Sequence, residues 1–292
     1  PAGESAVMAR RHHLGIHPRF RMVDSCAAEF AATTPYYYST YEGSNESGID
    51  ILSDIEGRTK ERMVVIGSGP IRIGQGIEFD YGCVHAVKAI RESGRDAIII
   101  NNNPETVSTD FDTSDRLYFE PLTLECVCEV LIRERAHGIL LQFGGQTAIN
   151  LALPLESRLP NLEKMSLNLK ILGTSTDSID EASDRERFES FAERIGLKMP
   201  RGATGTTADD VREAADKIGF PVLIRPSYVL GGRGMEVLSD HKQLEAYLKE
   251  AYLAPDKPLL VDEYLGHATE LDVDAACDGQ EVLIGAVMEH LE

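Results

Sequence analysis

The sequence predicts an α/β chain of two domains, the first built on a parallel sheet and the second of α+β type. Three observations carry that reading. From Met63 onward, short apolar strands alternate with helical segments. The stretch Glu270-Leu271-Asp272-Val273-Asp274-Ala275 alternates with period two, as a strand with one wet face does. The 292 residues, 42% of them hydrophobic, suffice for two cores of ordinary size.

Before Met63 no strand–helix alternation is legible. Residues 1–60 hold a helical segment, a Tyr-rich extended stretch around Pro35-Tyr36-Tyr37-Tyr38 and a polar link over 42–50, and read as a connector. A strand over 63–67, a helix over 84–93 stopped by Gly94 and a strand over 97–100 then form a βαβ unit, which implies parallel strands. A helix over 123–135, a strand over 138–143, a helix after Gln146 and a strand near 170–172 complete a domain placed at residues 61–178. The second domain, residues 179–292, is read as helices over 180–195 and 208–218 and a strand over 220–224 ending at Arg225. A strand over 235–238, a helix over 241–252, a strand over 258–263 and the alternating stretch follow.

Composition removes several classes of function. Forty-eight acidic against 29 basic residues give a net charge of −19, which opposes nucleic-acid and anionic-membrane partners. The basic run Arg10-Arg11-His12-His13, with Arg19 and Arg21, is confined to the start of the chain and reads as a solvated or helix-terminal face. No apolar run approaches the roughly 20 residues of a membrane span and no signal segment is recognisable, so a cytoplasmic location is expected. The chain starts at Pro1 without an initiator methionine and stops just after an apolar segment, and so reads as a fragment. Five scattered cysteines fit reduced thiols, and Cys126 and Cys128, two apart in a helical pattern, do not share a face for a metal.

The run Arg225-Pro226-Ser227-Tyr228-Val229-Leu230-Gly231-Gly232-Arg233-Gly234-Met235-Glu236 closes a buried strand with a fixed cation and opens the next with paired glycines. A buried-strand arginine needs an anionic partner, and the glycines allow close backbone approach to a phosphate; a Gly-Gly pair alone is more often a tight hairpin turn, so the functional reading rests on its neighbours. Gly67-Ser68-Gly69-Pro70-Ile71-Arg72-Ile73-Gly74-Gln75-Gly76 follows the first strand but departs from a dinucleotide loop, with Arg72 at the third glycine and Asn101-Asn102-Asn103 where an acid for a ribose belongs. It reads either as a structural turn or as a polar surface. Gly144-Gly145-Gln146-Thr147 fits an anion site or an N-cap at Thr147, and Asn103-Pro104-Glu105-Thr106 fits a ligand edge or plain turn chemistry. Asp184-Arg185-Glu186-Arg187-Phe188 is a solvated charge run or a contact of Arg185. Glu263 could accept from an adenine amine or a ribose hydroxyl, or be an ordinary surface acid. No Ser-His-Asp or Cys-His set and no metal spacing stands out among the histidines.

Together these residues resemble the large subunit of carbamoyl phosphate synthetase, in its second, carboxyl-terminal half. The resemblance spans essentially the whole chain. It is carried by Val23-Asp24-Ser25-Cys26-Ala27-Ala28-Glu29-Phe30 with Tyr38-Ser39-Thr40-Tyr41-Glu42, by 69–81, by Asn103-Pro104-Glu105-Thr106-Val107-Ser108-Thr109-Asp110, by the motifs above and by Met288-Glu289-His290-Leu291-Glu292. It implies a Rossmann-like pre-ATP-grasp domain followed by the first part of an α+β ATP-grasp domain, with residues 1–60 as the tail of a preceding oligomerisation domain and connector.

By that resemblance the reaction is phosphorylation of carbamate by ATP, serving pyrimidine and arginine biosynthesis. Arg225 and Arg233 would be the catalytic cations, and Arg185, Arg225, Gly231, Gly232, Glu263, Leu265 and Glu270 would contact ATP. Magnesium or manganese ligands are expected beyond Glu292, so the fragment alone is expected to make no carbamoyl phosphate. The implied partners are the first half of the large subunit and a glutaminase small subunit, with no nucleic acid and no membrane. Another ATP-grasp carboxylase or ligase, or a non-catalytic assembly fragment, are the competing readings.

Overall fold

A computed structural model of the chain describes residues 4–27, 29–30, 33–41, 59–72, 76–164, 167–226, 234–251 and 258–290. The chain divides into two compact units, Pro1–Ile195 and Gly196–Glu292.

In the first unit, helix α1 (Glu4–His13) precedes strands β1 (Arg19–Met22), β2 (Tyr36–Thr40) and β3 (Arg62–Ile66). Then come α2 (Glu78–Glu92), β4 (Asp96–Asn101), β5 (Arg116–Phe119), α3 (Leu124–Glu134) and β6 (Gly138–Leu140). Three short helices, α4 (Gly145–Ile149), α5 (Ala152–Glu156) and α6 (Leu159–Lys164), lead to β7 (Lys170–Leu172). Two more, α7 (Thr176–Ser183) and α8 (Arg185–Ile195), close the unit.

The seven strands lie in the order β1-β2-β5-β4-β3-β6-β7, parallel throughout except for antiparallel β1. Every residue of β3 and β4 is buried, because both faces of the sheet are covered. Val64, Ile66, Ile98 and Ile100 pack with Val127, Val130 and Leu131 of α3; the intervening Met63, Val65, Ala97 and Ile99 pack with Cys83, Val87 and Ile90 of α2. Strand alternation thus yields three layers.

Four local expectations change. The segment before Met63 contributes two strands to the sheet, with Phe20 buried edge-to-face on Tyr118 and Tyr37 beside it. These strands were illegible because Arg19-Phe20-Arg21-Met22 is too short and too charged to show its alternation. Helix α2 begins at Glu78, six residues earlier than its apolar pattern suggests. The single helix expected over 180–195 is broken at Asp184, whose extended backbone (φ −84°, ψ 126°) ends α7 while its carboxylate accepts the Arg187 amide at 2.9 Å. Thr147 lies inside α4 and is not its N-cap.

The second unit comprises β8 (Gly202–Gly205), α9 (Ala208–Ile218), β9 (Val222–Pro226), β10 (Glu236–Leu238), α10 (His241–Glu250) and β11 (Leu259–Glu263). Its strands run antiparallel in the order β10-β9-β11-β8. Val211, Ala215 and Ile218 of α9 and Leu244 of α10 cover one face, burying Val222, Ile224, Leu259 and Val261. Thr207 and Asp210 form a reciprocal capping box at the start of α9. A ribbon of β12 (Leu271–Cys277) and β13 (Val282–Glu289) completes the unit. Its alternation predicts one buried face, yet all of β12 is exposed: within this chain no element covers the side carrying Leu271 and Val273 among the described residues. No described helix is long and apolar enough to cross a membrane.

Candidate functional site

In the first unit the strand order reverses between β3 and β6, the point at which open α/β sheets place ligands beyond the strand carboxyl ends. Beside that point the chain packs on itself. Asn101, fully buried, accepts the Gly69 amide on Oδ1 at 3.0 Å and donates from Nδ2 to Ser108 Oγ at 3.2 Å. A Cβ on Gly67 would lie 2.4 Å from Asn101 Cγ, and one on Gly144 would lie 2.5 Å from the Ile66 carbonyl oxygen. Gly69 takes φ +73°, which a side chain would strain. Over 67–69 the glycine-rich segment is therefore a packed turn, with Asn101 standing where a ribose-binding acid would be, while Pro70, Ile71 and Arg72 after it are exposed. Asn103 accepts the Glu105 amide at 3.1 Å, and Thr109 Oγ1 donates to the Asn103 and Thr106 carbonyls at 3.0 and 2.8 Å, so that motif is closed by turn chemistry as well.

Among the described residues, the helices of the second unit leave the other face of its sheet uncovered. Leu260 pairs with Arg225 and Asp262 with Leu223, so all four side chains share that face. Arg225 is half-exposed, with Nε 3.5 Å from Asp262 Oδ2. This is the anionic partner that a cation on a buried strand requires, and the contact runs through Nε, toward the stem of the guanidinium. Glu263, the next residue, accepts from Arg201 Nε at 3.2 Å, Nη2 at 3.3 Å and the backbone amide at 3.3 Å. The Arg201 side chain, then its amide, hold the Glu263 carboxyl below the usual carboxylate range. Leu265 is 53% exposed, and the Glu270 carbonyl accepts the His290 amide at 3.0 Å.

The structure thus brings Arg225 and Glu263 onto adjacent antiparallel strands, with Leu265 two residues past the end of β11 and Glu270 just before β12. Arg185 belongs to the first unit, where Nε contacts Glu189 one helical turn on at 2.9 Å. Gly231, Gly232 and Arg233 lie outside the described residues. Two members of the cluster escaped the sequence reading, Asp262 and Arg201. Period two along Leu259-Leu260-Val261-Asp262-Glu263 would have aligned Asp262 with Leu260; Arg201 carries no local signal, because its partner is brought in by strand pairing.

Arg225 offers a fork-shaped cation on an open, partly apolar face, chemistry that suits phosphate oxygens, whereas Glu263 pairs with Val222 and so alternates onto the opposite face of the sheet. A parallel doubly wound domain followed by an antiparallel sheet with this cation defines the class, a pre-ATP-grasp domain joined to part of an ATP-grasp domain. Residues 59–181 match the family model for the carbamoyl phosphate synthase preATP-grasp domain, and residues 184–290 match that for the ATP-binding domain of the carbamoyl-phosphate synthase L chain. The chain belongs to the carbamoyl phosphate synthase large-chain family.

Among curated relatives, the carbamoyl phosphate synthase large chain of Methanosarcina mazei is 55% identical over 283 residues, covering 97% of this chain and 25% of that protein. That of Archaeoglobus fulgidus is 50% identical over 290 residues, covering 99% and 25%. The chain spans about a quarter of the length of these relatives. Among solved structures, an ADP complex of N5-carboxyaminoimidazole ribonucleotide synthetase superimposes with TM-score 0.60 at 14% identity, over 80% of this chain and 56% of that one. The biotin carboxylase domain of Hydrogenobacter thermophilus 2-oxoglutarate carboxylase gives 0.57 at 20% identity, over 80% and 51%. At such identities the likeness concerns the fold.

Proposed function

We propose that this chain is the nucleotide-holding part of the second half of a carbamoyl phosphate synthase large chain, in which the complete protein phosphorylates carbamate with ATP. The observation that carries the reading is Arg225, displayed half-exposed on the open sheet face and anchored by Asp262. Carbamate oxygen is already anionic, so the reaction needs no protein nucleophile. It needs alignment and neutralisation of the charge that builds on the phosphates.

Arg225 supplies forked donors to phosphate oxygens. Asp262 orients that fork, and Arg201 keeps Glu263 ionised as an acceptor for a ribose hydroxyl or an adenine amine. Arg233 would add a second cation, Gly231 and Gly232 close backbone approach, Leu265 an apolar wall, and Glu270 and Arg185 further polar contacts. Magnesium bound with the nucleotide would offset the charge on the phosphates. The wider reading places the protein in the cytoplasm, paired with the first half of the same large chain and supplied by a glutaminase subunit, in pyrimidine and arginine biosynthesis. Family membership and the long identities with the large chains support it over another ATP-grasp carboxylase.

The test is the reverse half-reaction. A complete large chain containing this segment is given ADP, magnesium and carbamoyl phosphate, and ATP is measured by coupled fluorescence. The reading expects ATP formation; its absence, together with ATP-dependent carboxylation of a different acceptor, would overturn it.

A further inference from the structure

A cluster in the first unit is unrelated to any group used above. The last turn of α1 docks on α3 through two contacts one helical turn apart, Arg11 with Glu125 and His12 with Glu129. The chain then reverses: Gly15 takes φ +68°, the Gly15 amide bonds the His12 carbonyl at 3.0 Å, and the Ile16 amide bonds the Arg11 carbonyl at 2.9 Å. This cap folds His17 back over His12, with ring centroids 4.8 Å apart. Both imidazoles then face one buried carboxylate. His12 Nε2 meets Glu129 Oε1, and His17 Nδ1 lies 4.0 Å from Glu129 Oε2.

We propose that His12, His17 and Glu129 form a binding site for a first-row divalent cation of the zinc or cobalt type, which clips the N-terminal helix to the α/β core. The donor atoms all lie within 4.8 Å of one another. A tetrahedral zinc ion with bonds of ~2.0–2.2 Å sets its ligand atoms about 3.4 Å apart, so rotation of the half-exposed His17 ring closes the remaining gap. Three protein ligands leave a fourth position for water. Two imidazoles and one carboxylate favour zinc, cobalt or nickel over magnesium and calcium, which take oxygen shells. On binding, the ion takes the place of the hydrogen between His12 Nε2 and Glu129 Oε1, which moves to Nδ1 of a neutral ring or to solvent from a protonated one. Glu129 is only 6% exposed and, with His12 already on one oxygen, is held in place before any ion arrives. The sequence hides the site because its ligands come from a helix end, the turn after it and a helix more than a hundred residues later.

The 292-residue chain, treated with chelator, is titrated with zinc by calorimetry and with cobalt by visible spectroscopy, in excess magnesium. The inference expects one equivalent bound, insensitive to magnesium, with the d–d bands of nitrogen and oxygen ligands and no thiolate charge-transfer band. His17→Ala, which removes an exposed ring, should weaken binding at least about tenfold while the circular dichroism spectrum stays unchanged; His13→Ala, outside the cluster, should not. Glu129→Gln provides a second ligand removal, read in the same way provided its spectrum is native. No uptake by the folded chain, uptake that persists in His17→Ala, or a cobalt–thiolate band would each overturn the proposal.

Discussion

Asp262 stands diagonally across two antiparallel strands from Arg225, its Oδ2 3.5 Å from Arg225 Nε. The register creates this neighbourhood: Arg225 pairs with Leu260, and Asp262 with Leu223, two residues along on the same face. The pair is a display device. The buried face of β9 fixes the strand, and the open face presents the cation.

Because Arg225 is half in solvent, its pairing with Asp262 contributes little to folding. Asp262→Asn and Arg225→Ala are each expected to change unfolding free energy by less than about 1 kcal/mol. Urea unfolding of the 292-residue chain checks this; a larger loss would mean that Arg225 is a structural residue.

Gly67 and Asn101 should be energetically coupled. Gly67→Ala places a Cβ against the buried carboxamide and is expected to cost about 1–3 kcal/mol. Asn101→Ala leaves the Gly69 amide without its acceptor and is expected to cost a similar amount, about 1–3 kcal/mol. In the double variant the two tightest clashes, with Cγ and Nδ2, are gone and only the Asn101 Cβ position at 2.8 Å remains, so the double loss should be less than the sum of the two singles. Additive losses in a denaturant double-mutant cycle would contradict the packing described.

Glu134, fully buried, sits 3.1 Å from Arg116 Nε and accepts from the Tyr118 hydroxyl. Burial, then the Glu134 carboxylate, push Tyr118 well above its ordinary value. Glu134→Gln leaves the 1%-exposed Arg116 with only its longer contact to Asp96, at 3.9 Å, and is expected to cost about 3–5 kcal/mol in urea unfolding. A loss below 1 kcal/mol would show the charges to be decoupled.

Stability should fall in alkali. Burial pushes the Cys83 thiol up to about 12 and the Cys128 thiol up to about 11. Raised values mean that the contribution is complete below the unfolded thiol's ordinary range and is lost as pH rises from there toward the folded values. Each thiol then lowers unfolding free energy by about 1.4 kcal/mol per pH unit. Urea unfolding at pH 8 and pH 10 measures the slope, and Cys83→Ala should reduce it; an unchanged slope would contradict the assignment.

The sequence displays what local chemistry controls. The bounds of α9 are readable because Thr207 and Gly219 bracket an apolar period, and α3 because Thr123 caps it and Arg135 ends it. The candidate cation, Arg225, is readable because it interrupts an apolar run. What stays hidden depends on pairing across distance: β1 and β2 are strands only because β5 receives β2, and Glu263 meets Arg201 only through the pairing of β11 with β8. Asn101 looks like a failed ribose ligand until Gly67 and Gly69 are seen against it.

The most direct measurement compares wild type and Arg225→Ala in a complete large chain carrying this segment, scoring ATP made from ADP and carbamoyl phosphate. The account predicts that the variant, folded by circular dichroism, loses at least about a hundredfold in rate. ATP formation within a few-fold of wild type would contradict the role of Arg225 as the cation that holds the phosphates.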